Sequence, residues 1–91
     1  MQTIYSIVGM KYHNAETFVA RLRNGEYLQL RREPDNPHDP FAIAVYVGER
    51  HVGYLKATEG RMLAREMDGF EMTEIPARLA FVGKYPQAEV S

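Results

Sequence analysis

Glu26-Tyr27-Leu28-Gln29-Leu30-Arg31, then Glu33-Pro34-Asp35-Asn36-Pro37-His38-Asp39-Pro40, then Ala42-Ile43-Ala44-Val45-Tyr46-Val47, is the stretch that decides the fold. The first segment alternates with period two and turns Leu28 and Leu30 to one side, the pattern of a half-buried strand. The second holds three prolines in seven residues. Each proline fixes φ and lacks an N–H, so regular structure stops there and a stiff loop is expected. The third segment, rich in β-branched and aromatic residues, is a second strand. Gly48-Glu49-Arg50 turns it into His51-Val52-Gly53-Tyr54-Leu55, which makes a hairpin.

Working outward, Thr3 to Met10 reads as an opening strand. Asn14 is placed to cap a short helix from Ala15 to Leu22, with Phe18, Val19 and Leu22 at helical spacing. Asn24-Gly25 signals a turn. Downstream, a helix runs from about Thr58 to Asp68, with Leu63 and Met67 facing in and Gly69 as its C-cap. Ile75 to Val82 is the last expected strand, with Ile75, Ala77, Leu79 and Phe81 on one face. Five strands and two short helices define a mostly-β (α+β) domain. In so short a chain, partial barrel closure is the economical way to protect strand edges.

The chain has 91 residues, which sets one domain over residues 1–91. Its 45 % hydrophobic and 25 % charged content is that of an ordinary globular protein. No apolar run approaches the roughly 20 residues of a membrane span. The start, Met1-Gln2-Thr3-Ile4-Tyr5, lacks the basic and apolar regions of a signal peptide. A cytoplasmic location is therefore expected. The absence of cysteine excludes disulfide scaffolds, thiolate zinc sites and cysteine nucleophiles. Net charge is −1, without the strongly basic signature of a non-specific nucleic-acid binder. Residues 1–32 nevertheless carry five basic and two acidic side chains, against six basic and ten acidic in residues 33–91. A local basic face is compatible with the neutral total, although a solvated mixed surface is the commoner meaning of such a balance.

Three constellations bear on chemistry. The proline loop would hold His38 and Asp39 at little further entropic cost, which suits a binding site. Against that, Asn36 and Asp39 are the residue types that accept backbone N–H bonds and merely shape turns. Asp35, His38 and Asp39 are metal-compatible donors, but all three come from one loop with no clear partner elsewhere, so no metal is expected. Lys11-Tyr12-His13, Tyr54 and Lys56 combine aromatic rings with cations, as on platforms where bases stack and lysines reach phosphates. Spacing alone makes Tyr12 and Tyr54 ordinary strand residues with buried rings and wet hydroxyls. No nucleophile elbow, metalloprotease, P-loop or dinucleotide motif occurs, so neither catalysis nor a cofactor is expected.

Taken in order, Val8-Gly9-Met10-Lys11-Tyr12, the block Leu28 to Pro40, Ala42-Ile43-Ala44-Val45 and Val52-Gly53-Tyr54-Leu55 resemble the HIRAN domain. The resemblance runs from about Ile7 to Gly83. It implies a small OB-like β-barrel that binds single-stranded DNA. In fork-remodelling helicases, which serve DNA repair, it captures a free 3′ end and recognises the terminal hydroxyl. Carried over position by position, Lys11 is a DNA-contacting cation and Tyr12 a base-contacting aromatic. His38 stands where those helicases stack a tyrosine on the terminal base. Asp39 matches the aspartate that accepts a hydrogen bond from the 3′-hydroxyl, and Tyr54 and Lys56 line the same groove. A carboxylate suits that task, since it accepts a hydroxyl proton and repels a phosphate.

The chain departs from the family pattern at His38, at Phe41 (often asparagine) and in residues 13–24, which look longer and more helical. Three functions follow for a free-standing domain. The first is a non-catalytic module for DNA 3′ ends, working in trans with a helicase or nuclease. The second is a protein-interaction barrel that has lost DNA. The third, more distant, is a metal-dependent nuclease using Asp35, His38 and Asp39.

Overall fold

The computed structural model describes residues 3–91. Met1 and Gln2, with which the expected domain opens, lie outside the described residues. The elements are β1 (Thr3–Val8), a 3-10 helix (Met10–His13), α1 (Glu16–Ala20), β2 (Tyr27–Glu33), β3 (Ala42–Val47), β4 (Arg50–Leu55), α2 (Ala57–Gly69), β5 (Glu74–Val82) and β6 (Tyr85–Val90). The strands form a closed antiparallel barrel in the order β1-β4-β3-β2-β5-β6.

The alternation read from sequence sets the barrel interior. Leu28 and Leu30 of β2, Ile43 and Val45 of β3, and Ala77 and Leu79 of β5 are buried together. Burial of each large aliphatic side chain contributes about 1.5–3 kcal/mol. Leu63 and Met67 of α2 join this core. The helix sits close because Gly60 presents no side chain: a Cβ there would lie 3.2 Å from the Leu55 Cβ. Its N-terminus is clipped to β1, where the Ser6 N–H donates to Glu59 Oε1 (2.7 Å) and the Lys56 N–H donates to the Ser6 carbonyl (2.9 Å).

The mostly-β barrel with two helices matches the expected class, with one strand more than the five expected. β6 closes the barrel between β1 and β5. Its run Tyr85-Pro86-Gln87-Ala88-Glu89-Val90 contains a proline, which demotes a strand reading. Pro86 is accommodated because β6 pairs with β5 from Tyr85 but with β1 only from Gln87. On the opposite side of β1 the closure is narrow, with only Ile7↔Leu55 and Val8↔Tyr54 in register with β4.

Three local expectations are corrected. The first strand ends at Val8, because Gly9 turns the chain at φ 77° and Met10–His13 coil into the 3-10 helix. Asn14 does not cap α1; it is left-handed at φ 52° and ends the 3-10 helix, while Ala15 precedes α1 without a side-chain cap. Gly69 is the last residue of α2, and the left-handed residue past that helix is Glu71 at φ 56°.

Candidate nucleic-acid interface

The proline loop is held by its own polar side chains. Asn36 Oδ1 accepts from the N–H groups of His38 (2.9 Å) and Asp39 (3.1 Å), a double Asx turn. Its amide donates to Glu33 Oε1 at 3.0 Å and reaches the Tyr54 hydroxyl at 3.4 Å. Asp39 Oδ1 accepts from the Phe41 N–H at 2.9 Å. Arg32 then fastens the loop's far end. Its side chain, only 4 % exposed, donates to the Pro40 carbonyl (3.0 Å), the Ala42 carbonyl (2.8 Å) and, bidentately, Asp68 of α2 (2.9 and 3.0 Å). That guanidinium holds the Asp68 carboxyl below its ordinary range. The turn-shaping role of Asn36 and Asp39 is therefore real, and it also aims the loop.

What the loop aims at is a pocket of about 310 Å³ shared by Val8, His38, Asp39, Tyr54 and Ala57. A second hollow, about 290 Å³, lies on the other side of His38 and Asp39, against Phe41, Thr58 and Arg61. Arg61 stacks over the Phe41 ring at 4.6 Å. Between the hollows stands the first turn of α2. Its Ala57 and Thr58 N–H groups have no carbonyl partner inside the helix, so this end carries partial positive charge. Asp39 uses one oxygen in the loop, and its Oδ2 accepts no hydrogen bond from the described residues.

Tyr54 forms the pocket's polar wall. Its hydroxyl donates to Glu33 Oε1 at 2.8 Å. Burial and this bond to a carboxylate push the phenol up to about 12. Behind it lies a column of rings: His51 meets Tyr54 edge-on at 4.9 Å, stacks on Tyr46 at 4.8 Å and touches His13 at 4.1 Å. Tyr46 and His51 come into stack because β3 and β4 slip register between Val45 and Tyr46. Burial, then the neighbouring His13, pushes the His51 imidazole below its ordinary value.

Of the six residues singled out in the sequence, His38, Asp39 and Tyr54 line one pocket. Lys56 stands at the helix cap beside it, exposed. Lys11 and Tyr12 are carried on the 3-10 helix instead of a strand and are not among the lining residues. Tyr12 is 88 % exposed, which overturns its reading as a buried strand residue. Among the described residues no three histidine, aspartate or glutamate side chains converge on a metal site, so Asp35, His38 and Asp39 do not form the donor set of the nuclease reading. The sequence reading passed over Val8, Glu33, Arg32 and Ala57. Only Glu33 had a local signal, standing three residues before Asn36, the span its side-chain bond crosses.

A closed six-stranded barrel with two helices, and with a pocket at its narrow seam, is a small β-barrel of OB-like form. The family model described as HIRAN domain matches residues 2–82, and the chain belongs to that family. It is 40 % identical over 63 residues to the helicase-like transcription factor of Oryctolagus cuniculus, a match that covers 68 % of this chain and 6 % of the rabbit protein. The fold is similar to the crystal structure of a protein from Lactobacillus plantarum, with TM-score 0.78 and 19 % identity over 98 % of this chain and 95 % of that one. It is also similar to the crystal structure of the HIRAN domain of human HLTF, with TM-score 0.62 and 24 % identity over 97 % of this chain and 74 % of that one. No helix among the described residues is long and apolar enough to cross a membrane.

Proposed function

We propose that the protein is a non-catalytic module that binds single-stranded DNA and captures its free 3′-hydroxyl end. The observation that carries this reading is Asp39, fixed through Oδ1 while Oδ2 stays free beside a pocket of nucleotide scale. A terminal hydroxyl can donate to that oxygen, whereas a terminal phosphate would be repelled by it. His38 and Tyr54 offer rings beside the same space, and base–aromatic stacking is indifferent to sequence. The α2 N-terminus and Lys56 favour the phosphate one step before the end. Lys11 and Tyr12, exposed on the 3-10 helix, are assigned to the strand leading in. Membership in the HIRAN family and similarity to a helicase-like protein support the assignment. The domain would work in the cytoplasm, in DNA repair, with a helicase or nuclease acting in trans.

The test compares labelled single strands ending in 3′-hydroxyl, the same strands ending in 3′-phosphate, and closed circles. Preference for the hydroxyl end is expected. Equal binding to circles and linear strands would overturn end capture. No binding at all would favour the protein-interaction reading, which rests on the net charge of −1 and on the His38 and Phe41 departures from the family pattern.

A further inference from the structure

Away from that pocket, the C-terminal half of α2 and the start of β5 leave an apolar groove of about 530 Å³. Leu63, Met67 and Phe70 supply one side, Ile75 and Ala77 the other, and Met72 lies on the turn between. Phe70 is 77 % exposed, and Met72 is exposed beside it. Met67, in the core, floors the groove, while Phe70 and Met72 project at its mouth, an opening into which a partner's side chains can insert.

Two observations select the occupant. The strand edge in the groove is blunted. Leu79 bonds through its N–H and C=O to Glu26 and Gly25. Alternation then turns Ala77 and Ile75 the same way, and Pro76 toward the open side. There β6 does not pair with β5 before Arg78, and Pro76 has no N–H to offer. An added strand is disfavoured, and a helix inserting side chains is the remaining regular solution. The rim, in turn, is acidic. Glu66 and Glu89 line it, and neither forms an ion pair among the described residues. The one basic lining residue, Arg78, is drawn over the Tyr27 ring at 5.4 Å and donates to the Gly25 carbonyl at 3.3 Å. A second copy of this chain would set acidic rim against acidic rim, which is unfavourable.

We propose that this groove docks an amphipathic helix of a partner protein, with leucine or aromatic anchors on one face and lysine or arginine flanking them. The inference is independent of DNA binding. α2 is about 20 Å long, with Ala57 in the DNA pocket at one end and Phe70 at the groove at the other, so both ligands fit at once.

The experiment uses two synthetic amphipathic helical peptides with the same leucine face, one flanked by lysines and one by glutamates. Methionine methyl NMR reports the site, and calorimetry the affinity. The lysine peptide should shift the Met67 and Met72 methyls, leave Met10 unmoved and bind about tenfold more tightly than the glutamate peptide, as two rim charge pairs allow. The double variant Glu66→Gln/Glu89→Gln should keep the dispersed methyl spectrum and the DNA affinity, and lose the preference. Equal binding of the two peptides, no shift at Met67 and Met72, or concentration-dependent shifts of those methyls without peptide (a second copy in the groove) would each overturn the proposal.

Discussion

Asp39 has two oxygens in different settings, and the difference can be read by substitution. Oδ1 holds the Phe41 N–H. Asp39→Asn can keep that acceptor and removes the charge. It should melt like the native protein and lose discrimination between 3′-hydroxyl and 3′-phosphate strands, with hydroxyl-end affinity falling by about 1.5–3 kcal/mol. Asp39→Ala removes both functions and should lower the melting temperature as well. If Asp39→Asn binds the two ends as the native protein does, the carboxylate is only a turn residue. Tyr54 gives an independent residue-level outcome in alkali. Its phenol ionises at about 12 in the fold against the ordinary 10. The folded state thus keeps a proton that the unfolded chain releases above pH 10, so the contribution is whole below 10 and is lost as pH rises from 10 to 12. Absorbance titration at 295 nm of the native protein, minus that of Tyr54→Phe, should show one late phenolate. Substituting Glu33→Gln should bring its midpoint down without restoring it fully, since burial is the larger cause.

Between elements, a close approach occurs at Gly53 of β4. A Cβ there would lie 2.5 Å from the Val8 carbonyl oxygen and 3.3 Å from Ile7 Cγ2, so any side chain pushes β1 away from β4. Gly53→Ala should cost about 1–3 kcal/mol by overpacking and weaken DNA binding beyond the loss of folded protein, because Val8 and Tyr54 flank the pocket. Equal melting temperatures for Gly53→Ala and native protein would contradict this packing. Elements were legible where one side faces the core. The period of Leu28 and Leu30, the continuous run Ala42–Val47 and the face Ile75, Ala77, Leu79 each translate burial into spacing. β6 escaped because Pro86 is its second residue and only Ala88 is fully buried. The 3-10 helix escaped because its direction is set by one glycine φ and by packing against β4, neither of which leaves a periodic trace. The pocket followed the same logic. His38 and Asp39 are neighbours in one motif and were found together. Arg32 reaches Asp68 across 36 positions, and no local pattern announces that contact.

For the molecule as a whole, charge limits how DNA can be held. With a net −1 and a sequence pI near 6.3, attraction must come from a few placed cations and not from a general field. Lys11, Lys56 and the α2 N-terminus allow about two to four phosphate contacts. The slope of log K against log salt should therefore be shallow, near −0.7 for each neutralised phosphate on a single strand. Titration of a 3′-hydroxyl strand at several salt concentrations measures it. A slope beyond about −4 would mean an extended backbone track and not the capture of an end.

The narrow closure between β1 and β4 has a further consequence for local opening. Only two residue pairs join these strands, against four between β1 and β6. Few hydrogen bonds have to break for β1 to lift from β4, so that line is the natural place for sub-global unfolding. Val8, Tyr54 and Leu55, the residues on either side of it, are also walls of the pocket proposed for DNA. Opening therefore dismantles the site, and a ligand binds the closed state alone. At a concentration of about 100 times Kd it stabilises that state by about 2.7 kcal/mol. The Lys56 amide, held by the Ser6 carbonyl across this line, should exchange its hydrogen about a hundredfold more slowly with a 3′-hydroxyl strand bound. Amides inside β3, paired on both sides, exchange through global unfolding, which the same ligand suppresses by the same factor, so they stay slower than the seam with or without DNA. The bond that leaks first is thus the one a DNA end would seal.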